Sequence, residues 1–205
     1  MRAVLNGDVG EADAGAETMT PAPTLTWHQP VMAEDVLRYV APRPGAVLVD
    51  GTVGTGGHSL VVVPRLLPDG RLIALDRDPA ALQIARQRLT EFEPQVTFLH
   101  DNYRHLPKIL ASLNIPQIDG LVLDLGLSSL QVDRAERGFS FSSEGPLDMR
   151  MDPTQEPTAA DLVNGLSADE LAVMLETLGE ERFARRIASR IVQGRRTRPI
   201  ISTTQ

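Results

Sequence analysis

The sequence predicts an α/β fold built on a doubly wound parallel sheet, and three observations predict it. Four short runs, AVLVD (46–50), RLIALD (71–76), VTFLH (96–100) and GLVLDLG (120–126), are rich in Val, Ile and Leu without clean alternation, as strands covered on both faces are. Helical segments fall between them, and strands alternating with helices imply a parallel sheet with crossovers. The first run leads into VDGTVGTGGHS (49–59), where four glycines fall within seven positions. A glycine turn between strand and helix lets backbone approach a ligand closely.

Each element has its own signal. Before the first strand, MAEDVLRYV (32–40) reads as an amphipathic helix stopped by Pro42. After the glycine turn, VVV followed by Pro64 and Pro68 disfavours a long regular helix, so a kink or an early end is expected. The next helix is the best marked: Asp78 can cap it, Pro79 suits its first turn, and Ala81, Leu82, Ala85 and Leu89 follow helical spacing. Beyond residue 126 the character changes. RAERGFSFSSEGPLDMRMDP (134–153) is irregular and short helices follow it. Ser167 and Glu170 form a capping box for ADELAVMLETL, closed by Gly179. EERFARRIASRIV (180–192) is expected as a further helix with Phe183, Ile187 and Ile191 on one face. No convincing strand follows residue 126, so the sheet is expected to lack its last strands.

Composition bounds the function. In 205 residues, 42% hydrophobic and 23% charged, a core can be buried in one domain or in one domain with an insertion. The absence of cysteine excludes disulfides and thiolate metal sites, and fits a reducing compartment. No apolar stretch is long enough to cross a bilayer, and the N-terminus lacks the basic-then-apolar layout of a signal peptide. The expectation is a cytoplasmic protein with no bound metal. Residues 1–26 read as a disordered extension, 27–130 as the sheet domain and 131–205 as a helical insertion whose return to the sheet is absent. The net charge of −7 is unevenly spread: from Glu181 onward seven arginines face one acid, a local +6 against −13 elsewhere.

The glycine turn alone admits a pyrophosphate, an adenosine without phosphates, or mere packing. Asp76, at the end of the second strand and 20 residues beyond Gly56, is placed to accept hydrogen bonds from ribose hydroxyls. Its competing role is to charge the N-terminus of the Asp78 helix. Both NAD and S-adenosylmethionine use this geometry. The dinucleotide fingerprint G-x-G-x-x-G is met at Gly54 and Gly56 but has Ser59 in third place. The spacing D-G-x-x-G-x-G-G favours a loop around adenosine and a methionine carboxylate. DLGLSS (124–129), at the end of the fourth strand, then lies where a methyl acceptor would sit.

Taken in order, HQPVMAEDVL, DGTVGTGGHS, ALDRDPAAL, DGLVLDLGLSS, RAERGFSFSSEGPLDMRMDP and GEERFARRIA closely resemble the RsmH (MraW) family of 16S rRNA cytosine-N4 methyltransferases, across roughly residues 28–198. The resemblance implies a Rossmann-like class I S-adenosylmethionine-dependent methyltransferase sheet with a helical insertion domain. It implies methylation of the exocyclic amine of a cytidine in the decoding region of the small ribosomal subunit. Residue by residue, Gly56, Gly57 and His58 match the family's cofactor loop, Asp76 its ribose acid, Tyr103 the aromatic beside the adenine, and Asp124 and Gln131 its remaining cofactor contacts. Two positions depart from the pattern: SSLQ replaces Ser-Ser-Pro-Gln before Gln131, and Pro64 interrupts the first helix.

For the chemistry, Asp124 is the candidate catalytic residue, as an acceptor for the amine. Phe139 and Phe141, with Arg137 beside them, are candidates for stacking on RNA, the competing role being to pack the insertion on the sheet. Arg182, Arg186 and Arg190 recur every four residues and are expected to line one side of a helix facing phosphates rather than solvent alone. Two alternatives stay open: a truncated, inactive fragment that binds S-adenosylmethionine or RNA only, and an NAD-dependent oxidoreductase.

Overall fold

The computed structural model of the chain describes residues 30–205, so the expected disordered extension lies outside the described residues. Four parallel strands, β1 (Val47–Asp50), β2 (Arg71–Asp76), β3 (Val96–His100) and β4 (Gly120–Val122), form one sheet in the order β3-β2-β1-β4. The first three match the sequence expectation. The fourth ends at Val122 rather than at residue 126. There the Asp124 N–H donates to the Thr52 hydroxyl (2.7 Å), turning the chain toward the glycine loop instead of along the sheet.

Strand residues alternate between two cores because successive side chains leave a strand on opposite faces. Leu48, Leu72 and Ala74 pack on one face with Leu82 and Ala85 of α3 (Pro79–Arg88) and Leu89 just after it, with Val62 of α2 (Gly57–Val62), and against Val36, Leu37 and Val40 of α1 (Ala33–Val40). Val49, Ile73 and Leu75 pack on the other with Ile109 and Leu106 of α4 (Leu106–Ser112). Each fully buried Leu or Ile contributes about 1.5–3 kcal/mol relative to exposure. As expected, α2 stops early: Pro64 falls in a 3₁₀ turn, Val63–Arg65, directly after it.

This layering fixes where a ligand can bind. β2 and β3 lie to one side of β1 and β4 to the other. The chain thus changes direction between β1 and β4. In open α/β sheets the crevice outside the carboxyl ends at such a reversal is the ligand site. The Gly51 N–H donates to the Val122 carbonyl (2.9 Å), holding those two strand ends together.

After α5 (Ser129–Val132), the chain forms α6 (Ala159–Gly165), α7 (Ala168–Gly179) and α8 (Ala184–Arg195). The Ser167–Glu170 capping box forms as expected, but the left-handed residue at the far end of α7 is Glu180 (φ 51°), not Gly179. That turn, with the Phe183 N–H donating to Glu181 Oε1 (2.7 Å), delays α8 until Ala184. Its packed face therefore differs from the expected one: Ala184 and Ala188 are buried, with Ile191 beside them, whereas Phe183 precedes the helix and is 49% exposed. The terminal residues are also tied down. Leu147 N–H donates to Ile201 O (2.9 Å), Thr203 N–H to Gly145 O (3.0 Å), and the side-chain amide of Asn164 to Ile200 O (2.7 Å).

Candidate active site

The glycine loop follows from β1 by backbone geometry. Gly54 (φ 52°) and Gly56 (φ 87°) adopt left-handed conformations that side chains rarely take. A Cβ at Gly56 would only touch Ala85 of α3 and Leu89 at its end, at 3.4–3.6 Å, so the left-handed backbone is what favours glycine there. Asp76 closes the loop from the next strand: Oδ2 accepts from Gly54 N–H (2.7 Å) and Oδ1 from Asp78 N–H (2.8 Å). This acid thus joins the glycine loop to the start of α3, the competing role expected of it. Partial burial pushes its carboxyl above the usual range, against the lowering effect of those two N–H donors. With the Arg77 N–H as a third backbone donor, the carboxylate still keeps acceptor capacity for a ribose hydroxyl.

Beneath the loop is a residue that sequence reasoning left without a role. Asp50 is buried, with Oδ2 accepting from the Ser59 hydroxyl (2.7 Å) and Oδ1 from Thr52 N–H (3.3 Å). Burial pushes its carboxyl up to about 6 despite these donors and the nearby His58. Ser59 itself is buried. In the place where a dinucleotide fingerprint has its third glycine, this chain has a side chain whose hydroxyl ties the loop to β1.

His58 Nε2 lies 2.9 Å from the Val31 carbonyl, which only accepts, so the ring donates there from Nε2. Nδ1 then faces Asp124 Oδ2 at 4.0 Å. Gly57 lies beneath Pro30. His58 and Gly57 therefore pin residues 30–32 across the loop. Tyr103 is 38% exposed at the end of β3, its Cβ 3.2 Å from where a Cβ on Gly51 would stand. Asp124 has an exposed side chain at the open end of β4, beside exposed Leu125 and Leu127.

Gln131 is buried and its amide is engaged inside the protein. Oε1 accepts from Ser128 N–H (3.2 Å), and Nε2 donates to Asp78 Oδ2 (3.2 Å). The turn thus forms with Leu130 in the proline's place. Arg137 is a clear correction. It is 9% exposed, ion-paired to Asp78 (2.5 Å), and donates to the carbonyls of Arg150 and Met151 (both 3.0 Å). A guanidinium committed in this way does not face RNA. Phe139 is half-buried, whereas Phe141 is 86% exposed.

The arginine patch is also redrawn. Arg186 and Arg190 lie one turn apart on α8, while Arg182 precedes the helix, with its guanidinium 4.6 Å from the Phe183 ring centroid. Among the described residues, Arg182, Arg185, Arg186, Arg190, Arg196 and Arg198 are exposed and enter no ion pair with a carboxylate. Arg190 and Arg198 line a groove of about 1080 Å³ between α8 and the terminal residues. No group of three or more His, Asp or Glu placed to hold a metal occurs among the described residues, and none of the described helices is long and apolar enough to cross a membrane.

The strand order and the glycine loop joined to a strand-end acid define a Rossmann-like α/β domain. Residues 26–205 match the MraW methylase family, and the chain belongs to it. The ribosomal RNA small subunit methyltransferase H of Syntrophotalea carbinolica is 51% identical over 178 residues, covering 87% of this chain and 57% of that protein. Its counterpart in Thermobifida fusca is 49% identical over 187 residues, covering 90% and 56%. The chain therefore spans a little over half the length of these relatives. A solved structure of TrmN from Thermus thermophilus superposes with a TM-score of 0.38 over 43% of this chain and 26% of its own, at 29% identity.

Proposed function

We propose that this protein methylates the N4 amine of a cytidine in the decoding region of 16S rRNA, using S-adenosylmethionine, in the cytoplasm. The observation that carries the cofactor assignment is the glycine loop closed by Asp76 at the β1–β4 reversal. The RNA assignment draws on relatives named as small-subunit rRNA methyltransferases and on exposed arginines without carboxylate partners in a chain of net charge −7. The cytidine and its place in the subunit come from the family resemblance.

The residues fit the cofactor. Asp76 would accept from the ribose, Tyr103 would lie along the adenine, and the backbone of residues 54–58 would wrap the remainder. Bound S-adenosylmethionine supplies an electrophilic methyl group. The chain's own task is to aim the cytosine nitrogen and exclude water, because that amine's lone pair is delocalised into the ring. Asp124, exposed and next to the loop, would accept a hydrogen bond from the amine and stabilise the positive charge developing there. Phe141, exposed on the insertion, would stack on RNA, and the arginines of 182–198 would meet phosphates.

Incubation with small ribosomal subunits and methyl-labelled cofactor, followed by digestion to nucleosides, should yield labelled N4-methylcytidine. Label in another nucleoside, or none with any RNA, would refute the assignment. Asp124→Ala should lower turnover at saturating cofactor. Replacing Arg182, Arg186 and Arg190 together with Ala should weaken RNA binding and flatten its dependence on log salt by about 2 units of slope.

A further inference from the structure

The stretch LDMRMDP (147–153) had no role in the sequence beyond the resemblance, and it lies outside the cofactor and RNA contacts assigned above. Its polar groups nevertheless converge on one place. Asp148 and Arg150 pair with each other (2.6 Å). The Arg150 and Met151 carbonyls accept from the buried Arg137 guanidinium, which pairs with Asp78. Asp152, 3% exposed, caps its own turn through Thr154 N–H (3.0 Å), the Thr154 hydroxyl (2.6 Å) and the Gln155 amide (2.6 Å). It also faces His100 Nε2 at 3.2 Å. That same nitrogen lies within hydrogen-bond distance of the Arg77 carbonyl (3.0 Å), with the Asp152 carboxylate alongside.

Both contacts grip a single turn. Asp78 is held by Arg137, Arg77 by His100, and the Asp78 N–H donates to the Asp76 carboxylate. The insertion thereby reaches the proposed ribose acid through one ion pair and one backbone donor.

We infer that Arg137, Asp152 and His100 are positioning residues that hold residues 148–155 as a strap against the carboxyl ends of β2 and β3. The strap fixes the Asp76–Asp78 turn in its cofactor-accepting geometry. Its link to the cofactor rests on the S-adenosylmethionine reading proposed above; the positioning itself does not. Arg137 acts through Asp78 and not by contact with RNA or cofactor. A packing role alone would change stability and leave the turn unaltered.

The test uses the whole chain and compares wild type with Asp78→Asn/Arg137→Met, which removes both charges, leaves neither unpaired and keeps an Asn cap for α3. Amide hydrogen exchange of Gly54, which donates to Asp76, is measured relative to Ala74 in the sheet core, which reports global opening. S-adenosylhomocysteine affinity is measured on the same samples by calorimetry. The expected result is exchange at Gly54 faster by about tenfold relative to Ala74, with affinity weaker by about tenfold. Arg137→Lys should recover melting temperature but only part of the affinity, since a single ammonium cannot hold Asp78 and two carbonyls together. His100→Ala, which leaves the buried pair intact, should weaken affinity by about threefold. Unchanged exchange at Gly54 in the folded double variant overturns the inference, as does wild-type affinity alongside a lowered melting temperature. A wild-type chain that binds no S-adenosylhomocysteine would refute the cofactor reading, and the exchange comparison would still decide whether the strap fixes the turn.

Discussion

Asp50 and Asp78 are buried to nearly the same degree, 3% and 1% exposed, one at the end of β1 and the other capping α3 just past the adjacent β2, yet their surroundings are opposite. Asp50 has only neutral donors, the Ser59 hydroxyl and the Thr52 N–H. Asp78 has a guanidinium as well as the Gln131 amide and the Ala80 N–H. Neutral hydrogen bonds offset only part of the cost of taking a carboxylate out of water, and burial holds Asp50 at about 6. The difference separates two design problems. Asp50 fastens a loop within its own segment. Asp78 fastens a distant segment, 59 residues away in sequence, where a charged partner gives direction as well as energy.

The comparison breaks most visibly at Arg137. Arg137→Met leaves the Asp78 carboxylate buried without its cation, and denaturant unfolding should show a loss of about 3–5 kcal/mol. The Asp50 side is sharpened by pH. Its carboxyl is raised to about 6 in the fold from 3.8 when unfolded, so its protonated contribution is complete below pH 3.8 and is lost as pH rises through 6. Asp50→Asn should therefore match wild type near pH 4 and exceed its stability by up to about 3 kcal/mol at pH 8. Unfolding midpoints across that range measure the divergence. Smaller still, Ser59→Ala removes the one side-chain donor to Asp50. It should cost about 2 kcal/mol at pH 8, and less at pH 5, where the acid is largely protonated.

The same contrast explains what was legible beforehand. β1, β2, β3 and α3 were readable because their signals are local: an apolar run, or Asp78 followed by Pro79 and a helical apolar period. The glycine loop and Asp76 were readable because spacing along one strand–turn–helix unit fixes their proximity. Leu123 and Leu125 prolonged the apparent fourth strand although Leu125 ends up 66% exposed, since a run of leucines does not record where a strand leaves its sheet. Arg137 looked like a surface cation because it sits among aromatics in an irregular stretch, and its partner lies on another element. Asp50 resembled an ordinary strand end. Nothing in the neighbouring residues states that water is excluded there. α8 was shifted because the left-handed turn at Glu180 falls on a residue that rarely adopts it.

The central claim is that the loop closed by Asp76 takes the adenosine end of S-adenosylmethionine. Calorimetric titration of S-adenosylhomocysteine into wild type and Asp76→Asn, with NAD as the competing ligand, tests it most directly. The account predicts binding to wild type, loss of about tenfold or more in affinity in Asp76→Asn, and no NAD binding. Equal affinity in both proteins, or NAD binding in place of S-adenosylhomocysteine, would contradict it.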